Sequence, residues 1–308
     1  MDAVRPDPEE PLLLLSGRSR DLATGPGGEA AVVAGASLEV EVDDTPDGPM
    51  VGSVETVPAV DGLAALPGTR AGGGFRRAVA VKTAAEPGSG EHLLLDDVPV
   101  CSLISFYAVL HASARETGRN PVPIGDDPRD PGGHPADVCA GFITGGVIMR
   151  AMDEDQRAIA IGPAAPSVLG DDELAWHQLP PLPAGADHMR RWRRTDVWLD
   201  GEGNWAVDNF YRDSHTTPDG VETVLHEYGI SAAIDPASTT VLRCEAEPRV
   251  LPFAECLPAA LSATRVTGLE LAKLRNSVRR TLSGPSSCTH LNDQLRGLAD
   301  VETLVAHL

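Results

Sequence analysis

The sequence predicts an α+β fold of two similar units, each a small antiparallel meander sheet with helices packed on one face, related by pseudo-two-fold symmetry. Three observations predict it. Four apolar runs between residues 195 and 247 are split by the turn signals Asp200-Gly201-Glu202-Gly203, Pro218-Asp219-Gly220 and Asp235-Pro236, the pattern of a meander. After residue 253 the apolar spacing changes to the helical one. The first part of the chain then follows the same plan as the last.

In order, residues 1–10 are acidic and Pro-rich and read as a disordered lead-in. Residues 12–22, 30–42 and 50–60 read as strands; in the second, Leu38, Val40 and Val42 alternate with Glu39 and Glu41, giving one wet face. Residues 62–82 suggest two short helices broken at Gly72-Gly73-Gly74, and 101–115 a buried helix. These make an N-terminal unit over 11–115. Residues 116–190 are dense in Pro and Gly and read as a linker with one packed piece at 139–152. Its end, Met189-Arg190-Arg191-Trp192-Arg193-Arg194, reads as a solvated basic approach to the next strand. The C-terminal unit, 191–308, carries strands at 195–200, 205–214, 223–234 and 239–247. Helices follow at 253–266 and 269–282, the latter with Leu271, Leu274, Val278 and Leu282 on one face. Gly284 and Pro285 stop that helix, and Ser286 or Ser287 caps the last one.

The repeat rests on matched landmarks. Ala36 to Asp43 matches Ile230 to Asp235, Ser53 to Pro58 matches Arg243 to Pro248, Leu66-Pro67-Gly68 matches Val266-Thr267-Gly268, and Cys101 matches Cys288. The unit is about a hundred residues long. The first copy has no counterpart of His226 or His290, so the second is the functional one.

Composition narrows the classes. At 308 residues and 42% hydrophobic the chain can bury a substantial core, and with 4% aromatics that core is aliphatic. A net charge of −20 argues against nucleic acid and anionic membranes as partners. Five widely spaced cysteines without a CxxC argue against a disulfide framework, and Leu12 to Leu15 is too short for a signal or a span. The expectation is a reducing cytoplasm, a small-molecule partner, and an internal pseudo-dimer that is monomeric or homodimeric.

The chemistry-bearing stretch is Ser287-Cys288-Thr289-His290-Leu291-Asn292-Asp293 at a helix start. A helix N-terminus favours a thiolate. Two residues apart on a helix, Cys288 and His290 diverge, so they meet only if Cys288 sits at the looser cap position. His226-Glu227 lies on a strand and points to opposite faces, so one of the two can join a site. Glu245 shares a strand face with Glu247, and His215 lies at a strand end. Buried-cysteine packing and solvated acidic faces are the ordinary alternatives for these residues.

Arg212-Asp213-Ser214, Leu225-His226-Glu227, Glu245, Pro252, Cys256 and the ending Cys288-Thr289-His290-Leu291 together resemble the bacterial domain of unknown function 2889 family, over roughly residues 190–300, with a degenerate second copy in the N-terminal half. Ser287 stands where that family has glycine. The resemblance implies no established reaction. Three readings stay open. One is a zinc or iron site from His226, Cys256, Cys288 and His290, perhaps with Glu245. The second is a metal-free enzyme with catalytic His290, Cys288 and His226 and with Glu245, Arg212 and His215 in binding roles. The third is a non-catalytic ligand- or partner-binding module with structural Cys and His. The expectation is a small-molecule catabolic enzyme of the hydrolase or lyase class, with its site in the C-terminal unit at the seam between the repeats.

Overall fold

The structure is a computed structural model that describes residues 1–7, 10–45, 48–116, 136–154, 158–170 and 174–308. Its fold is α+β, built on a single eight-stranded antiparallel sheet in the order β4-β3-β2-β1-β5-β6-β7-β8. The strands are β1 (Asp2–Val4), β2 (Leu12–Thr24), β3 (Ala30–Thr45), β4 (Gly48–Val57), β5 (His188–Leu199), β6 (Trp205–Thr216), β7 (Glu222–Asp235) and β8 (Thr240–Val250). The helices are α1 (Phe75–Lys82), α2 (Gly90–Glu116), α3 (Val147–Asp153), α4 (Leu271–Thr281), α5 (Thr289–Gly297) and α6 (Val301–Leu304).

One sheet replaces the two separate ones the sequence predicted, and the reason is β1. Residues 2–4, expected to be disordered, pair antiparallel with both β2 and β5 and join the two meanders edge to edge. Asp2 accepts two hydrogen bonds from the Arg190 guanidinium, at 2.7 and 2.8 Å, and Ala3 is buried. An acidic, Pro-rich start reads as disorder when its cationic partner lies far along the chain.

Other boundaries moved for local reasons. The helix expected at 101–115 begins at Gly90 and contains Pro99. A proline inside a helix costs about 3 kcal/mol, and here thirteen buried positions on α2 offset it. Residues 254–266, expected to be α-helical, form 3-10 turns around Pro258. The last helix is capped by Cys288, in extended conformation, rather than by Ser286 or Ser287. The linker expected at 116–190 lies partly outside the described residues. Its packed piece is there as a 3-10 turn (Ala140–Phe142) and α3, and a later stretch runs along the sheet edge through an Ala164–Thr223 bridge.

Apolar packing falls into two clusters. One lies under β1–β4 and α2 and includes Leu13, Leu15, Leu38, Phe75 and Leu95; the other lies under β6–β8, α4 and α5 and includes Tyr228, Ile230, Leu274, Leu291 and Leu295. Each half closes its loop in the same way. Gly68 N–H donates to Val51 O and Val51 N–H to Thr69 O; Gly268 N–H donates to Val241 O and Val241 N–H to Leu269 O. Both glycines have positive φ, 79° and 83°, a conformation a side chain would strain.

Between the clusters lies a buried network of ions. The basic run that the sequence suggested was solvated is in fact the core of β5. Arg191 and Arg193 point to the helix face, while Arg190 and Trp192 point to the other. Arg191 is 2% exposed. It grips Asp213 of β6 with Nε and Nη2, at 2.7 and 3.0 Å, and Asp293 of α5 with Nη1 at 2.9 Å. Arg193 pairs with Asp97 of α2. Asp96 receives Arg76 of α1, Arg275 of α4 and Arg296 of α5 at 3.1 to 3.3 Å. Charges buried at this depth are tolerable only because each is paired and hydrogen-bonded.

Removing one member of such a network leaves its partners charged and dry. Arg191→Met should therefore lower unfolding stability by about 3–5 kcal/mol, read as a fall in the urea midpoint. A loss within 1 kcal/mol, about what an exposed pair contributes, would show that the network does not hold the halves.

Candidate functional site

The site grows from one row of side chains across the sheet. Antiparallel register places Arg191 of β5 opposite Asp213 of β6, and Asp213 opposite His226 of β7. The next row is Arg193, Tyr211 and Tyr228. A β-bulge beside Asp213 pairs Ser214 with Val224 and leaves Leu225 as the extra residue, so His226 meets Asp213 directly. Glu227, on the opposite face, pairs with Arg212 at 2.5 Å.

Helix α5 lies over this row. His290 and Asp293 are three apart and share its inner face. Asp293 docks on Arg191, Gln294 donates to Asn209 of β6, and Asn292 donates to Leu282 O at 2.8 Å. Docked in this way, His290 stacks on His226 with ring centroids 3.7 Å apart and planes 21° apart. His290 Nε2 lies 3.9 Å from Asp213 Oδ2, and its Nδ1 lies 4.0 Å from Cys288 Sγ. Because Cys288 is at the extended cap position, the helical divergence of a two-residue spacing does not apply to it. One ligand-capable atom each from Asp213, His226 and His290 lie within 4.8 Å of one another. Asp213 is fully buried, His226 is 5% exposed, and the His290 side chain keeps 14% exposure, which makes it the group's outlet to solvent.

Burial sets the protonation. It pushes the His290 imidazole down to about 3, with Arg191 adding to the effect and Asp293 opposing it. His226 falls well below its ordinary value through burial and the neighbouring His290, against the pull of Asp213. Both rings are therefore neutral at pH 7 and carry lone pairs. Burial also raises the Cys288 thiol to about 11, against the backbone N–H groups of Leu291 and His290 at the helix start, so the sulfur is a protonated thiol. The Tyr211 hydroxyl is buried without a hydrogen-bond partner, and the Tyr228 hydroxyl lies against the Cys288 thiol.

Of the residues singled out in the sequence, Cys288, His290 and His226 come together. Cys256, 5% exposed, lies near Cys288 but outside the Asp–His–His group. Arg212 faces the other side of the sheet, held by Glu227 and Pro166 O. Glu245 is an exposed residue of the edge strand β8 and takes no part. His215 belongs to a second buried group: its Nε2 lies 2.8 Å from Asp187 Oδ1, and its ring stacks on His111 of α2 at 4.0 Å. Burial pushes both of these histidines down to about 4. Arg191 and the two tyrosines were not singled out, while Asp293 and Asp213 were named only as parts of the Cys288-to-Asp293 stretch and of the family motif, with no role of their own. The signal for Arg191 was its alternation with Trp192 and Arg190, which marks one of the arginines as facing inward.

Fold and site thus define an α+β protein with a buried Asp–His–His cluster under the N-terminal turn of a helix. Residues 189–304 match the model of the family described as "Protein of unknown function (DUF2889)". No curated protein and no solved structure matches the chain. The matched span contains Arg191, Asp213, His226, Cys288, His290 and Asp293.

Neutral buried histidines make stability depend on pH. In the unfolded chain each titrates near 6.5, so as pH falls below that value the unfolded state takes up protons that the folded state refuses. Their stabilisation is complete above about 6.5 and is lost as pH drops toward 4. Asp293, which burial would raise but four arginines hold well below the carboxylate range, adds its own loss only at lower pH. The melting temperature should fall steadily between pH 7 and pH 5, and a flat or rising profile there would contradict buried neutral histidines.

Proposed function

We propose that the chain is a small-molecule enzyme of the hydrolase or lyase class whose centre is a divalent zinc or iron ion held by Asp213, His226 and His290. The observation that carries this reading is the convergence of two neutral imidazoles and a carboxylate within 4.8 Å at a buried point with one outlet. Two nitrogens and one oxygen leave a metal with open positions, the arrangement of catalytic rather than closed structural sites. Such an ion supplies Lewis acidity and lowers the pKa of a bound water.

The chain's own residues divide the remaining work. Arg191 fixes the Asp213 carboxylate by a two-point grip, and Asp213 sets where the rings must point. The partnerless hydroxyl of Tyr211 is a donor for a polar group of a bound molecule. Burial holds Cys288 as a protonated thiol, which slows its attack at neutral pH and disfavours a metal-free mechanism that needs it as nucleophile in every turnover, though not a single slow oxidative step. Glu245 and Arg212 have no part in this reading.

The internal repeat belongs to the same proposal. The matching loop bonds at Val51 and Val241 and the mirrored strand order about the β1–β5 pair support two copies of one unit. The better register sets Leu94-Leu95-Asp96-Asp97-Val98 of α2 against Leu291-Asn292-Asp293-Gln294-Leu295 of α5, since Asp96, Asp97 and Asp293 all enter the ion network. Cys101 then has no tie to Cys288, because it lies well inside α2 while Cys288 precedes α5. Leu93 takes the place of His290, so the first unit has the scaffold without the ligand.

Elemental analysis of the purified protein should find one zinc or iron per chain, absent from His290→Ala with its melting transition retained. A metal-free wild-type protein that also fails to take up added zinc or ferrous iron would leave the binding-module reading standing. In the partly exposed position of His290 the substitution should reduce turnover of any substrate found by at least 100-fold, as expected for a lost metal ligand or its immediate support.

A further inference from the structure

Three of the five cysteines converge on one side of the site. Cys139 precedes the 3-10 turn at Ala140–Phe142, Cys256 lies in the 3-10 run at 254–266, and Cys288 caps α5. The segment around Cys139 is clasped to the start of α5 by a backbone bond, Ala140 N–H to Ser287 O at 2.9 Å. Cys139 and Cys288 are each one residue away from that bond. Both are extended, with φ and ψ of −157° and 177° for Cys139 and −124° and 127° for Cys288. That bond holds the two residues beside one another, and the Cys139 thiol is close enough to bear on the charge of Cys288. Cys139 is partly open to solvent and Cys288 is buried.

We propose that Cys139 and Cys288 form a dithiol that a peroxide-class oxidant closes into a reversible disulfide. The reaction balances in two steps. Hydrogen peroxide oxidises the accessible Cys139 thiol to a sulfenic acid and releases one water. Cys288 sulfur then attacks the Cys139 sulfur; the S–S bond forms, the S–O bond breaks, and the departing hydroxide leaves as water with the Cys288 proton. A low-molecular-weight thiol reduces the bond by exchange. Cys256 is the competitor: its Sγ lies 3.2 Å from where a Cβ on Gly141 would sit. It is less favoured because it belongs to a closed 3-10 turn and is not clasped to either partner, whereas the 139–288 pair is already aligned by the backbone.

The inference rests on the loop contact and not on the enzymatic reading, but it bears on the site. Closing the bond draws Cys288 Sγ away from its 4.0 Å contact with His290 Nδ1, next to the Asp–His–His group. In a reducing compartment such a pair is open, and oxidation is a signal rather than a structural bond.

The test is peptide mass mapping of the native reduced protein after hydrogen peroxide, with free thiols alkylated before digestion. The expected result is a linked peptide pair joining Cys139 to Cys288, reversed by dithiothreitol. Cys101, Cys244 and Cys256 should stay reduced, and Cys139→Ser should abolish the link while retaining the wild-type melting transition. Five free thiols after treatment, or a disulfide that leaves out Cys139 or Cys288, would overturn it. A metal-free protein that still forms the link leaves this inference standing while the proposed metal centre falls.

Discussion

The two-sided grip of Arg191 is the constraint on which the rest depends. One guanidinium, nearly shut off from solvent, holds Asp213 of a neighbouring strand and Asp293 of the helix above. Its planar fork grips one carboxylate at two points and a second with its remaining nitrogen, a geometry that the point charge of a lysine does not reproduce. Through Asp213 it orders the sheet face; through Asp293 it sets the depth and rotation of α5. His290 is carried into place by that docking, one helical turn from the aspartate. The surrounding pairs from α1, α2 and α4 extend the same network across both halves, so the seam is held by charge where each half separately is held by apolar packing.

This arrangement explains the chemical character of the site. The network leaves Asp213 paired yet dry, while burial leaves the two imidazoles neutral. A carboxylate gripped by arginine beside two uncharged rings still offers lone pairs that a cation could use. The strands supply rigid positions for Asp213 and His226, and the ligand nearest solvent comes from the start of a helix. That division, a fixed floor and one accessible wall, is what makes the group a candidate for chemistry rather than a satisfied core histidine.

Much of the fold was legible in the sequence because its signals are local. Alternation fixed the strands of both meanders, and Gly and Asp turns fixed their connections. The helical spacing of Leu271, Leu274 and Val278 found α4. What escaped was set by distant partners. Residues 2–4 join a strand only because Arg190 is there, and α2 tolerates Pro99 only because so much of its surface is buried. At the site, Cys288, His290 and His226 could be found by residue type. Arg191 could not, since a run of arginines looks like solvated charge until a fold brings it inside, and Asp213 was visible only as part of a family motif, with nothing to say that it faces the histidines. Glu245 and Arg212 were misplaced for the converse reason: a strand has two faces, and spacing alone does not say which one is covered.

The most direct measurement is anomalous diffraction at the zinc or iron edge from crystals grown with the metal. The account predicts one strong peak at coordination distance from a ring nitrogen of His226, a ring nitrogen of His290 and an oxygen of Asp213, with Arg191 still on the far side of that carboxylate. A map with no peak there, or with the metal held by the cysteines and Asp213 left to Arg191 alone, would contradict it.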